Sequence, residues 1–245
     1  MTNAAQNSGT EAQQDAVASE FDDYSNHYSG AVNDALVVPG LKVDYFTKVK
    51  AKYLAEQVKR HFGDTNSRSV LDLGCGVGNY HSLLKPHFGR LVGIDVSEKS
   101  VERAKSINEG VEYFCYPGGE LPFSDNEFDV AYAICVVHHV PVDDWLLFFR
   151  EMKRVLKPGG LGMIFEHNPK NPLTMRVVNN CPFDADAVLL NLKTCKGLFE
   201  KAGFDEIKAR HILSIPTIDP ITRKFDLELG RMPFGAQYMA VASKS

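Results

Sequence analysis

Val70-Leu71-Asp72-Leu73-Gly74-Cys75-Gly76-Val77-Gly78-Asn79-Tyr80 is the stretch on which the reading of this chain turns. Val70 to Leu73 is short and mostly apolar, and it reads as a buried strand. Three alternate glycines follow. Without Cβ atoms they let the backbone come close to a ligand and adopt positive φ. A helix is expected next, and its free N–H groups make the turn a site for a polar ligand. A dinucleotide fingerprint spaces its glycines G-x-G-x-x-G. Here the spacing is G-x-G-x-G, with Asp72 two residues before the first glycine. A carboxylate at that point repels a pyrophosphate, whereas a ligand carrying an amine or a sulfonium tolerates it.

Outward from this turn, strands and helices alternate. Strands are expected at 69–73, 91–95, 111–115, 129–135 and 161–166, and helices at 79–85, 98–107, 142–155 and 194–202. Ser97 is the expected N-cap of the second of these helices, with Val101, Ala104 and Ile107 on one face. Trp145, Leu146, Phe149, Met152 and Val155 form the buried stripe of the third. Lys157-Pro158-Gly159-Gly160 ends it, and Gly203-Phe204 closes the last. Such alternation implies an α/β fold, a doubly wound parallel sheet covered on both faces. Two further strands, near 206–215 and 235–243, are expected to pair. Upstream, Phe46, Val49, Tyr53, Leu54 and Val58 give an amphipathic helix over 43–61. Residues 167–190 carry Asn and Pro without a period, so they read as a lid or binding loop.

Bulk properties narrow the class. The chain has 245 residues, 44% hydrophobic and 24% charged, with a net charge of −4. A nucleic-acid partner usually leaves a basic footprint, which is missing here. No apolar run is long enough for a bilayer, and the first residues lack the basic start and apolar core of a signal peptide. The five cysteines form no C-x-x-C pair. They read as reduced thiols in the cytoplasm, and as neither a disulfide frame nor a zinc site. Residues 1–20, rich in Ala, Gln, Asn, Ser and Thr, are expected to be a disordered tail. The domain is expected over 21–245, opening with the aromatic leader Phe21-Asp22-Asp23-Tyr24-Ser25-Asn26-His27-Tyr28.

Three segments in order carry a family resemblance: the glycine run, Glu120-Leu121-Pro122-Phe123-Ser124-Asp125-Asn126-Glu127-Phe128-Asp129-Val130, and Arg150-Glu151-Met152-Lys153-Arg154-Val155-Leu156-Lys157-Pro158-Gly159-Gly160. Together, over about 65–166, they resemble the class I S-adenosylmethionine (SAM) dependent methyltransferases, in the small-molecule branch with the menaquinone and ubiquinone methylases. The resemblance implies a Rossmann-like sheet of seven strands, mostly parallel with the last antiparallel, and SAM as cofactor. It implies that Asp72 and Gly74 lie near the methionyl amine, in a turn completed by Cys75, Gly76 and Gly78. Ile134 and Cys135 then line the ligand through their backbone. Tyr24 and Tyr28 either pack on the first helix or, by the resemblance, fold over SAM as part of a lid (21–60), or do both, and 167–190 is expected to build the acceptor pocket. Asp95, at the end of the second strand, is placed to accept hydrogen bonds from a ribose diol; otherwise it is an acid at a helix start. The family often has an acid after the third strand. Here Pro117 stands there, followed by Gly118-Gly119, so adenine is expected to meet backbone groups and Val96.

Three histidines are candidates for chemistry. His138 and His139 follow the fourth strand, where they are either a pair at the pocket wall or catalytic. Adjacent side chains diverge from an extended segment, so no metal is expected. His167, in Glu166-His167-Asn168-Pro169, is either a general base for an acceptor hydroxyl or a structural residue holding the loop. The resulting expectation is methyl transfer from SAM to a small-molecule acceptor, at a hydroxyl oxygen, with no nucleic acid or membrane partner. A nicotinamide-dependent oxidoreductase and a non-catalytic SAM-fold subunit are the alternatives. The glycine spacing speaks against the first, and the joint presence of the turn and Asp95 against the second.

Overall fold

The computed structural model describes residues 43–181, 184 and 187–245. The expected tail, and Tyr24 and Tyr28 of the leader, lie outside the described residues. The elements run α1 (Val43–Phe62), β1 (Ser69–Leu73), α2 (His81–Leu84), β2 (Arg90–Asp95), α3 (Glu98–Ile107), β3 (Glu112–Cys115), β4 (Phe128–Ile134), α4 (Trp145–Val155), β5 (Leu156–His167), α5 (Pro172–Asn180), α6 (Leu192–Lys201), β6 (Asp205–Ile212), α7 (Pro220–Leu229) and β7 (Gln237–Ser243). One seven-stranded sheet has the order β3-β2-β1-β4-β5-β7-β6. β1 to β5 pair in parallel, and β7 alone runs antiparallel to both of its neighbours. This is the expected doubly wound architecture. β1 and β4 sit at its centre, and every residue of β4 is buried.

Two apolar layers cover the sheet. On one side, Trp145, Phe149, Met152 and Val155 of α4 pack with Leu198 and Phe199 of α6 against Leu71, Ala131 and Ile164. On the other, Val49, Tyr53, Leu54 and Val58 of α1 pack with Leu227 of α7 against Val70, Val130 and Met163. Phe149, Phe199 and Phe204 stack edge to face in a chain, with centroids 4.8 and 4.9 Å apart, a favoured aromatic geometry.

The structure revises several expected elements. α2 is only four residues long and continues as a 3₁₀ turn, Lys85–His87, because Pro86 supplies no N–H. It is too short to lend a helix N-terminus to a ligand. α4 begins at Trp145, after a separate 3₁₀ turn at Val142–Asp144. Ile107 lies 49% exposed, outside the stripe of Val101 and Ala104. β5 starts at Leu156, with Lys157–Gly160 bulging out so that Phe128 faces Leu156 and Val130 faces Leu161. The segment 167–190, expected to be irregular, contains α5. The last helix is α7, not the one that Gly203-Phe204 closes. Both unexpected helices have the same start. Asn171 accepts from the N–H groups of Leu173 and Thr174, and Asp219 accepts from that of Thr222, each just ahead of a proline. A side-chain cap followed by proline at the first helical position is a helix start.

Candidate active site

The carboxyl ends of β1, β2 and β4 open into one cleft. Gly74 leaves β1 with φ +73°, and an added Cβ there would overlap the Val136 side chain at 2.5 Å. The N–H groups of Gly74 and Cys75 both donate to the Ile94 carbonyl, at 2.8 and 3.0 Å, which folds the turn over the end of β2. Gly76 has φ +51° and its Cβ position is open space. Gly78 is bound by other demands. A Cβ there would lie 2.6 Å from the Tyr113 hydroxyl and 2.7 Å from Asn108 Nδ2.

Asp95 locks this turn. Its Oδ2 accepts from the Gly76 N–H at 2.7 Å, and its Oδ1 accepts from the Ser97 N–H at 3.0 Å. Each carboxylate oxygen keeps a lone pair for a further donor. Burial raises the pKa of Asp95, and the two N–H groups pull it back. Asp72 is buried behind the turn, and His81 Nε2 lies 2.9 Å from its Oδ2. The opposite face of that imidazole is fixed by the Tyr113 hydroxyl at 2.5 Å.

Of the residues expected at the cofactor, Asp72, Gly74, Cys75, Gly76, Asp95, Val96, Gly118, Gly119, Ile134 and Cys135 line the cleft, joined by Tyr80, Ser100 and Tyr116. Gly78 does not. Leu147 and Phe148 of α4, with Val140 and Pro141, form an apolar outer wall.

Beyond Ile134 the chain turns sharply, and Cys135 takes φ +58°, a conformation that costs a non-glycine residue energy and is held by its surroundings. Its thiol lies 3.8 Å from Lys50 Nζ of α1 and 3.4 Å from Gln237 Nε2 of β7. Burial raises its pKa, but Lys50 and His167 bring it down to about 7. Glu166 of β5 holds the turn that follows. Its Oε1 accepts from the N–H groups of Val136 and Val137, at 3.0 and 2.8 Å, and its Oε2 lies 2.6 Å from His138 Nδ1.

The three histidines are gathered but play different parts. His138 and His139 stand on a 3₁₀ turn, Val137–His139, not on an extended segment. Their rings therefore do not diverge, and their centroids are 4.1 Å apart. His139 lines the cleft, while His138 is buried beneath it at 2% exposure. Burial lowers the His138 pKa, but Glu166 and Asp184 override it and carry it well above the usual value. His139 is pushed down to about 3 by burial and by His138. His167 lies off the cleft wall, its Nδ1 3.3 Å from Gln237 Nε2 and its ring 5.3 Å from that of His138. Asn168, also expected in the pocket, is buried and donates to the carbonyls of Pro233 and Gly235.

Glu166, Asp184, Lys50 and His81 escaped the sequence reading as members of this site. Glu166, Asp184 and Lys50 are remote in sequence from their partners, while His81 lies nine residues after Asp72; no local spacing signals any of them. Only the acid in Glu166-His167 sat beside a candidate.

The open sheet and its antiparallel last strand define a Rossmann-like α/β fold, with a cleft at the strand ends. Residues 71–164 match the family model described as a methyltransferase domain. The chain is 28% identical over 219 residues to a 24-methylenesterol C-methyltransferase 2 of Oryza sativa subsp. japonica, covering 83% of this chain and 58% of that protein. It is 34% identical over 121 residues to a demethylmenaquinone methyltransferase of Staphylococcus aureus, covering 47% of this chain and 49% of that protein. The chain thus spans about half the length of these curated relatives. Its fold is also that of a SAM-dependent methyltransferase of Thermotoga maritima, described as a possible histamine N-methyltransferase. That likeness has a TM-score of 0.64 at 20% identity, over 94% of this chain and 100% of the other. Among the described residues, no helix is long and apolar enough to cross a membrane.

Proposed function

We propose that this protein transfers a methyl group from SAM to a small-molecule acceptor. The observation that carries the reading is the locked glycine turn: Asp95 fixes the Gly76 N–H and keeps lone pairs for a ribose diol, while the open space at Gly76 and Gly119 leaves room for the ligand. Asp72 stands near the turn to receive a methionyl amine, and Val96, Gly118 and Gly119 border the adenine end. SAM supplies a sulfonium-bound methyl group for in-line displacement. The chain's own work is alignment and exclusion of water, which falls to Tyr80 and to the apolar wall of Leu147 and Phe148.

A hydroxyl oxygen is the acceptor atom we favour, because the His139 imidazole and the Cys135 residue line the cleft. His139 faces the cleft, and with a pKa of about 3 it is a neutral group suited to hold a hydroxyl proton and poorly suited to remove it. A carbon acceptor on an apolar molecule is the second reading. It is supported by the wall of Val140, Leu147 and Phe148 and by the C-methyltransferase name of the rice relative. A net charge of −4 supports a small molecule over nucleic acid, and five free thiols support a reducing compartment such as the cytoplasm.

Titration calorimetry tests the reading. SAM and its demethylated product should bind and NAD should give no heat. Asp95→Ala should weaken product binding by about 1.5–3 kcal/mol, the scale of hydrogen bonds to a charged group. NAD binding with silent SAM would overturn the proposal.

A further inference from the structure

We propose that His138, His139 and Asp184 form a binding site for a divalent transition-metal cation of the zinc class. One ligand atom from each residue lies within 4.8 Å of the other two. The imidazole Nε2 atoms of His138 and His139 are 3.4 and 3.6 Å from Asp184 Oδ1. A charged N–H···O contact closes to about 2.7–2.9 Å, so both separations are long for direct hydrogen bonds. They suit ligands sharing one ion. A tetrahedral cation bound at about 2.0–2.1 Å holds its ligand atoms about 3.4 Å apart.

A second observation points the same way. His138 Nδ1 is held 2.6 Å from Glu166 Oε2, and the other oxygen of Glu166 is fixed by two backbone N–H groups. A carboxylate behind the far nitrogen sets the tautomer of a metal-bound imidazole and orients its lone pair. Here it leaves Nε2 directed at Asp184. The charges also close. Two carboxylates, Glu166 and Asp184, are balanced by one dication with both imidazoles neutral. Of the three ligands His139 lines the cleft, so a coordination position that the protein left open would be reached from that side. There an acceptor oxygen would bind the cation and lose its proton more easily, a role that, unlike the site itself, rests on the methyl-transfer reading.

The test uses the whole chain, freed of metal by a chelator and titrated with zinc chloride in a calorimeter. One equivalent should bind. Cobalt(II) in its place should give visible ligand-field bands without a thiolate charge-transfer band. Asp184→Asn and His139→Ala should each weaken zinc binding at least about tenfold, and Glu166→Gln roughly 10–100-fold, with melting temperatures confirming that each variant is folded. Should Glu166→Gln fail to fold, the two half-buried positions decide alone. No stoichiometric uptake by the parent would overturn the proposal and leave a proton on His138 Nε2 as the link to Asp184. Unchanged affinity in both Asp184→Asn and His139→Ala, or a thiolate band with cobalt, would overturn it as well. Because no turnover is read, failure here leaves the methyl-transfer reading untouched.

Discussion

At Gly78 an added Cβ meets the Tyr113 hydroxyl, Asn108 Nδ2 and, at 3.0 Å, His81 Nδ1, whereas at Gly76 it meets nothing. Both residues have positive φ, so alanine is strained at either, by about 1–2 kcal/mol. Overpacking adds about 1–3 kcal/mol at Gly78 alone. Gly78→Ala should therefore lower the unfolding free energy by about 2–5 kcal/mol in denaturant melts, clearly more than Gly76→Ala. Beyond that strain, Gly76→Ala should lose affinity for the demethylated cofactor product. If the two variants melt alike, Gly78 is not held by packing. The sequence presented these glycines as one motif. Most of the backbone it pointed to, Gly74 to Gly76 and Asp95, falls on one cleft, because strand, turn and acid are contiguous or one strand apart. It did not show that Gly78 serves the triad of His81, Tyr113 and Asn108, since that triad is assembled from three separate segments.

Between elements, buried polar pins decide how helices sit. Asp226 of α7 is wholly buried. Its Oδ2 accepts from the Tyr53 hydroxyl of α1 at 2.6 Å and from the Leu213 N–H at 2.9 Å, and its Oδ1 accepts from the Ile215 N–H. Arg223 adds an ion pair with Glu56. α1, α7 and the loop after β6 are thus fastened at one carboxylate. Tyr53→Phe keeps the ring and removes one charged hydrogen bond, so it should cost about 1.5–3 kcal/mol, measured by denaturant melts. A loss below a few tenths would show that Asp226 is satisfied without Tyr53. The amphipathic pattern of α1 was readable, and its span agrees with the structure to one residue. α5 and α7 were not readable as helices, because Asn171-Pro172 and Asp219-Pro220 break a periodic reading while serving as cap and first turn. Their short apolar faces gave no compensating signal.

Over the whole molecule, the acid side of the stability profile is set by carboxylates held below their usual range. Asp129 is the clearest. Burial raises its pKa, but the Ser69 N–H, Lys157 and Arg68 more than reverse this, at 2.9, 2.9 and 3.2 Å. Glu151 and Glu112 are also lowered, both with arginine partners. A carboxylate with a depressed folded pKa contributes stability that is present above its unfolded value, 3.8 for Asp129, and is lost as pH falls through the folded value. The melting temperature should therefore fall below about pH 4, and Asp129→Asn should flatten that fall while lowering the plateau at neutral pH. An acid limb unchanged in the variant would remove Asp129 from this role. Seven strands with the last antiparallel were a family expectation; the order of the strands was not read from the sequence, and it has a consequence for how the chain is made. β7 fills the slot between β5 and β6. While the ribosome is still synthesising residues after Ile212, β6 has no neighbour and the outer edge of β5 offers unpaired backbone groups, an invitation to intermolecular pairing. The sheet therefore closes only once Gln237–Ser243 has emerged. A chain released before that point would carry an open interior edge, the kind of lesion that chaperones and proteases act on, so the fold becomes safe only after Ser243 has been made.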